Sequence, residues 1–193
     1  MIAGIILAAG ASSRMGRPKA LLDYRGETFV GRLIRIFSSF CDPVIVVAGY
    51  HAEAIHDEVD GRARFVVNSD PSRGQLSSLQ TALAAIPSRS RGFMFTPVDC
   101  PAAGPETLAA VVDAFRNRNP ETMLVIPQHE GRHGHPVCAA AQLIDELLAL
   151  PPEAQAREVV HRYRPATQFV DVNDPGILAD IDDPDAYLQL TSQ

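Results

Sequence analysis

Two cations set close together behind a run of small residues are the first sign of chemistry in this chain. Arg14 and Lys19 follow Leu7-Ala8-Ala9-Gly10-Ala11-Ser12-Ser13. Small residues let backbone N–H groups approach a ligand, and successive N–H groups turned the same way form a nest for anions. Arginine grips a phosphate through two parallel hydrogen bonds, and lysine meets it as a point charge. The stretch from Leu7 to Lys19 therefore reads as a phosphate-binding device. It lacks the Gly-Lys-Ser/Thr of a Walker loop and the Gly-x-Gly-x-x-Gly of a dinucleotide fingerprint. Asp99, behind Pro97-Val98, offers the hard oxygen that magnesium takes from one or two carboxylates alongside phosphate oxygens. A turn-forming aspartate is the rival there, and the nearby phosphate loop outweighs it. Asp180 and Asp182 near the end are further carboxylates, and a solvated acidic turn explains them equally. His129, His133 and His135 have a spacing zinc accepts, but no cysteine or acidic cluster accompanies them. A surface turn at Gly134-His135-Pro136 accounts for that segment as well.

For such groups to meet, the elements between them must build a sheet with its loops on one edge. Residues 1–7 are an apolar, Ile-rich run of the kind buried in parallel sheets. A short hairpin is expected around Arg25-Gly26, then Thr28 capping a helix over residues 29–40. Strands are expected at residues 44–48, 65–67, 92–96 and 123–127, with helices between them at 52–59, 77–86 and from Pro105. Residues 137–139 are expected to pair beside the Glu130–Pro136 turn. Helices at 142–150 and 153–163 and a strand at 168–172 follow. Repeated β-α-β order implies parallel strands with right-handed crossovers. The expected fold is a three-layer α/β/α domain with a mostly parallel, Rossmann-like sheet, one domain over residues 1–193. Ligands of open α/β sheets bind at the carboxyl ends of strands, and the loops Ala8–Lys19, Asn68–Ser78 and Asp99 all fall there.

Composition narrows the classes. The chain has 193 residues, 46% of them hydrophobic, and a net charge of −6. That acidity argues against a nucleic-acid polymer as partner, although local loops of an acidic protein can still be basic. No apolar run approaches the ~18 residues a membrane helix needs. No basic leader opens the sequence, and Cys41, Cys100 and Cys138 are odd in number and far apart. A reducing cytoplasm is the expected compartment.

The order Leu7-Ala8-Ala9-Gly10-x-Ser12-x-Arg14-Met15-Gly16-x-Pro18-Lys19 resembles the signature loop of nucleotidyltransferases that act on sugar phosphates, methylerythritol phosphate and molybdopterin. Pro97-Val98-Asp99-x-Pro101 looks like the metal-aspartate motif of the same family. Gly134-His135-Pro136 resembles a motif of molybdenum-cofactor cytidylyltransferases, with His133 and Arg132 where that family carries a basic residue before the glycine. Asp180-Ile181-Asp182-Asp183-Pro184 resembles the family's terminal Asp-x-Asp-Thr-Pro, with Asp183 in place of threonine.

The resemblance implies CTP-dependent transfer to molybdenum-molybdopterin, yielding molybdopterin cytosine dinucleotide and pyrophosphate. It implies Lys19, Arg14 and Asp99 as catalytic, with Leu7, Ala8, Ala9, Gly10 and Ser12 around the nucleotide. Gly74, Ser77 and Ser78 would face the base, with a plain helix cap at Ser77 as rival. Gly134 and His135 would line the acceptor side. Asp99 and Asp182, with Asp180 behind Asp182, would hold Mg²⁺. A molybdoenzyme or its chaperone would be a transient partner. Ala8-Ala9, where guanylyl relatives carry a glycine pair, favours CTP over GTP. The rivals are a guanylyl-, cytidylyl- or uridylyltransferase for another phosphate, an NAD(P)-dependent oxidoreductase, and a non-catalytic module that binds nucleotide and delivers the cofactor.

Overall fold

The computed structural model describes residues 1–151 and 154–192. The elements, in order, are β1 (Ile2–Ala8), the hairpin β2 (Asp23–Tyr24) and β3 (Glu27–Thr28), α1 (Phe29–Ser38), β4 (Val44–Ala48), α2 (Ala52–Val59), β5 (Arg64–Val67), α3 (Gln75–Leu83), β6 (Gly92–Pro97), α4 (Pro105–Arg116), β7 (Leu124–His129), β8 (Arg132–His133), β9 (Val137–Ala140), α5 (Leu143–Leu148), α6 (Ala156–Arg162), β10 (Thr167–Asp171) and α7 (Pro184–Thr191). The expected helix at 153–163 appears as α6. Its expected first residue, Glu153, and Pro152 before it lie outside the described residues.

The main sheet runs β10-β7-β9-β6-β1-β4-β5, with β8 pairing to β7. The pairs β1–β4, β1–β6, β4–β5 and β7–β10 are parallel. β9 was expected merely beside the Glu130–Pro136 turn. It instead inserts between β6 and β7, antiparallel to both. A chain that reverses through a short loop can only return antiparallel, and its buried Val-Cys-Ala-Ala fits the middle of a sheet.

Alternation along β1 divides the core. Ala3, Ile5 and Leu7 pack with Leu76, Leu79 and Leu83 of α3 and Leu143 and Leu147 of α5. Ile2, Ile6 and Ala8 pack on the other face with α1, α2 and α4, through Phe29, Ile55 and Leu108 among others. Helices therefore cover both faces, and the three-layer α/β/α architecture with a mostly parallel sheet is what the chain adopts. Thr28 caps α1 as expected, its Oγ1 accepting from Gly31 N at 3.0 Å. The hairpin turns through Arg25 and Gly26, both at positive φ.

The tail after Gly176 received no element from the sequence. It forms a 3-10 turn and then α7, whose first residue is Pro184 and whose cap is Asp183, accepting from Ala186 N at 2.9 Å. Asp followed by Pro is the start signal that could have found it.

Candidate active site

β1 lies between β4 and β6, so the chain passes to one side of β1 and later returns to the other. Crevices form where strand order reverses in this way. Backbone bonds draw three remote segments together there. Val98 N donates to Leu7 O (3.0 Å), tying the Asp99 turn to the end of β1. Ile181 N donates to Asp99 O (2.9 Å), tying the closing segment to the same turn. Lys19 N donates to Ser12 Oγ (2.9 Å), folding the basic loop back on itself.

The result is a cleft of about 280 Å³ lined by Leu7, Ala8, Ala9, Gly10, Ser12, Arg14, Lys19, Gly74, Ser78, Asp99 and Asp182, among others. Eleven of the thirteen positions picked from the sequence for catalysis, nucleotide or metal thus converge, although they come from four parts of the chain.

Lys19 is the hub. Its side chain is only 11% exposed, and Nζ donates to Asp182 Oδ1 (2.6 Å) and Asp99 Oδ2 (3.1 Å). Arg14, largely exposed, reaches Asp182 from outside at 3.1 Å. Burial works to lower the Lys19 pKa, but hydrogen bonds and charge from Asp182 and Asp99 outweigh it and the net shift is upward. The Lys19 hydrogen bond holds the Asp182 carboxyl below the usual carboxylate range, against a smaller opposing effect of burial.

Both shifts link to stability. The Asp182 contribution is present above its ordinary pKa of 3.8 and is lost as pH falls through the lowered value. The Lys19 contribution is present below 10.5 and is lost as pH rises through the raised value. Asp182→Asn is therefore expected to flatten the loss of stability on the acid side, below about pH 4, and also to weaken the alkaline limb, because the Asp182 hydrogen bond is the largest cause that raises the Lys19 pKa. Urea titrations at stepped pH check this. An unchanged acid limb would remove Asp182 from the linkage.

The geometry offers a candidate pair of carboxylates different from the one read in the sequence. Asp182 turns one carboxylate oxygen, Oδ1, to both Lys19 and Arg14. Asp180, ranked second, brings an oxygen within 4.8 Å of ligand atoms of both Asp99 and Cys100. Burial pushes the Asp180 carboxyl up, and the charges of Asp99 and Asp182 push it further. Crowded carboxylates of this kind suit a divalent cation bound through oxygen. Burial, then the charge of Asp99, raises the Cys100 thiol pKa.

The zinc alternative loses its geometry. His129 Nδ1 lies 2.9 Å from the Val172 carbonyl, and His133 stacks on Phe169. Burial lowers the His135 pKa, against a smaller raising effect of Asp99, and its Nδ1 is enclosed. The three rings are thus committed to different surroundings.

Gly74 and Ser78 line the cleft, but Ser77 does not. The Ser77 hydroxyl donates to Gly74 O (2.8 Å) and accepts from Asn68 Nδ2 (2.8 Å), so it builds the loop rather than facing a base. Gly74 has φ +88°, a region costly for other residues, and from there the chain enters α3.

Gly134 and His135 lie across Asp99 in an adjoining recess of about 400 Å³ that also holds Asp180. A Cβ on Gly134 would fall 2.1 Å from the Ile177 carbonyl oxygen. His135 N donates to that same oxygen at 3.0 Å. The glycine is there so that the loop can lie against the closing segment.

Sequence reasoning missed Tyr50, His51 and Gln75, which also line the cleft. His51 Nε2 donates to the Ala11 carbonyl (3.0 Å) and braces the phosphate loop. The available signal was position, since Tyr50 and His51 follow β4, the parallel neighbour of β1. Gln75 opens α3 and lines both the cleft and the adjoining recess.

Comparison with known proteins gives the same picture. Residues 4–167 match the MobA-like NTP transferase domain. The molybdenum cofactor cytidylyltransferase of Escherichia coli K12 is 27% identical over 95% of this chain and 92% of its own length. A probable molybdenum cofactor guanylyltransferase of Rhodopirellula baltica is 33% identical over 65% of this chain and 60% of its own. Nicotine blue oxidoreductase of Paenarthrobacter nicotinovorans is 29% identical over 94% and 92%. Among solved structures, the manganese complex of Rv0371c from Mycobacterium tuberculosis H37Rv has a TM-score of 0.79 and 29% identity, covering 100% of this chain and 98% of that one. The matched residues cover most of the chain, which therefore belongs to the MobA-like NTP transferase family.

Proposed function

We propose that the chain is a cytidylyltransferase that joins CTP to the terminal phosphate of molybdenum-molybdopterin. The observation that carries this is Lys19 Nζ, held between Asp99 and Asp182 at the mouth of the loop Ala8–Ser12. An oxygen of the acceptor phosphate attacks the α-phosphorus of CTP. The new P–O bond forms as the bond to the β-phosphate bridging oxygen breaks, and pyrophosphate leaves with that electron pair. The attacking oxygen is already anionic, so no general base is needed. Positioning and charge stabilisation carry the catalysis.

Backbone N–H groups of residues 8–12 cradle the triphosphate. Lys19 meets the charge growing at the α-phosphate, and Arg14 the β- and γ-phosphates. Gly74, Gln75 and Ser78 border the base. Asp99 and Asp180 are the residues that would hold Mg²⁺, with Asp182 orienting Lys19 and Arg14. Bound there, the ion neutralises phosphate oxygens as negative charge shifts to the leaving group.

CTP is favoured by Ala8-Ala9 and by the length of the match to the E. coli cytidylyltransferase. The relative named as an oxidoreductase supports a second reading, NAD(P) chemistry in the same cleft, which the missing Gly-x-Gly-x-x-Gly opposes. A thermal-shift panel with magnesium and CTP, GTP, UTP, ATP or NADP separates them. Ligand at about a hundredfold over Kd adds roughly 2.7 kcal/mol to native stability. The expected result is a magnesium-dependent shift with CTP. A shift with GTP alone moves the protein to guanylyl transfer, and one with NADP alone sinks the transferase reading.

A further inference from the structure

Behind the closing segment lies a groove of about 1080 Å³, against about 280 Å³ for the nucleotide cleft. That is just above the roughly 300–1,000 Å³ of most ligand pockets. The β2–β3 hairpin, α1, the start of α4, the end of β10 and α7 wall it in. No residue lines both the groove and the cleft, and neither Gly134 nor His135 lines the groove. Leu178 and Asp180 line both the groove and the acceptor recess, so the closing segment is the partition between them. No step of the proposed transfer takes place in the groove.

One end of it is cationic without compensation. The buried ring of Tyr24 carries two guanidiniums, Arg25 at 5.1 Å and Arg32 at 5.2 Å from its centroid. Arg35 stands beside them, but its Nε donates to both Glu27 oxygens at 3.0 Å, and its charge is met. Among the described residues no carboxylate forms an ion pair with Arg25 or Arg32. Arg32 is half-buried, and its Nε donates to the Pro101 carbonyl (2.9 Å), which leaves its two terminal nitrogens to face the groove without a partner among the described residues. Burial lowers the Arg32 pKa; Tyr24 and Glu27 oppose this, while Arg35 and Arg25 add to it. Like charges on one aromatic ring, one of them drawn out of water, are costly until an anion joins them. A guanidinium fork meets phosphate or carboxylate oxygens in pairs. The start of α4 is no rival for that anion, because Asp174 already accepts from Gly104 N (2.8 Å) and Thr107 Oγ1 (2.6 Å). Leu178, Ile181 and Leu190 supply apolar wall. The groove's carboxylates, Glu106 and Asp171 among them, come from α4 and β10 and favour a ligand body that carries hydrogen-bond donors.

We propose that this groove is a second ligand site, for a small organic dianion, a phosphate monoester or a dicarboxylate, whose head is clamped between Arg25 and Arg32 and whose body, bearing hydroxyl or amino groups, lies over Leu178 and Ile181. Its ligand is neither the nucleotide nor the acceptor. Those two must meet at Lys19, and the closing segment keeps the groove apart from Lys19. The site goes beyond the transferase reading and stands without it.

Equilibrium dialysis of the full chain against radiolabelled inorganic phosphate, without metal or nucleotide, tests this. Phosphate is expected at the loop Ala8–Lys19 and, separately, in the groove. Arg25→Gln, at an exposed position, should weaken the groove site about tenfold, the scale of one lost hydrogen bond to a charged group. Arg25→Gln combined with Arg32→Gln should abolish it, while the loop still binds phosphate and the melting temperature shows the fold intact. Arg14→Glu should remove the loop site and leave the groove site in place. Radiolabelled succinate, run in the same way, separates the two sources: the anion held more tightly names the head group, and the double variant must lose it. A wild type that holds neither anion outside the loop, or groove binding that survives the double change, overturns the proposal. If the double variant fails to fold, Arg25→Gln decides alone, and undiminished groove binding overturns the proposal. Phosphate held only in the groove keeps this site and counts against the loop, and phosphate held only at the loop does the reverse.

Discussion

Replacing Lys19 with alanine is expected to lower turnover on the order of 10²-fold or more, the scale seen when one preorganised donor to a transition state is removed. The side chain is nearly enclosed, and two carboxylates from opposite ends of the fold fix its ammonium. Its position therefore costs no reorganisation at the moment of reaction. Because charge at the α-phosphate grows in the transition state, the loss should fall mainly on kcat.

The substitution also leaves Asp99, Asp180 and Asp182 crowded without their central cation. Removing one partner of an ion network exposes the others to repulsion. A lower melting temperature should accompany the kinetic loss, and assays must be run well below it. Initial-rate measurement of pyrophosphate release decides the matter. Turnover equal to wild type removes Lys19 from the chemistry and leaves it a structural clamp.

Asp99→Ala is expected to abolish the magnesium-dependent part of nucleotide binding while the protein stays folded. The geometry explains why folding survives. Lys19 keeps its shorter hydrogen bond, to Asp182, so no buried cation is stranded. The backbone bonds of this turn, Val98 N to Leu7 O and Ile181 N to Asp99 O, do not use the side chain. What disappears is one of the two carboxylates facing each other across the junction of the cleft and the acceptor recess. The thermal shift with CTP and magnesium should fall to that with CTP alone. A variant that binds CTP with magnesium as tightly as wild type would refute the assignment of Asp99 to the metal. Asp180→Ala run in parallel tests the proposed ligand pair Asp99–Asp180, with a larger loss expected than for Asp182→Ala.

Much of this could be read from the chain before any fold was known. The Ile-rich run into Ala8-Ala9-Gly10, the positive charges at Arg14 and Lys19, the Thr28 cap and the Arg25-Gly26 turn are all local. Each depends on residues a few positions apart, where periodicity, turn chemistry and capping act. Alternation of strands and helices was enough for a parallel α/β sheet, because such connections have one favoured hand.

Contacts between distant residues were decided differently. The bonds from Lys19 to Asp99 and Asp182 span 80 and 163 positions, and no spacing rule reaches that far. They exist because sheet order sets β6 beside β1 and because the closing segment hydrogen-bonds to the Asp99 turn. The difference in surroundings between Asp180 and Asp182 has the same origin. Two carboxylates two residues apart in a loop look alike until the packing shows which one faces Lys19 and Arg14. Ser77 and Ser78 looked equally suited to a base; in the fold both hydroxyls accept from Asn68 Nδ2, and of the two only Ser78 lines the cleft. Gly134 read as an acceptor residue, whereas the Ile177 carbonyl beneath it is what demands a glycine. The sequence carried the kinds of chemistry available, since those lie in residue types and short spacings. Long-range packing chose which atoms meet, because only the folded sheet brings its distant loops within bonding distance.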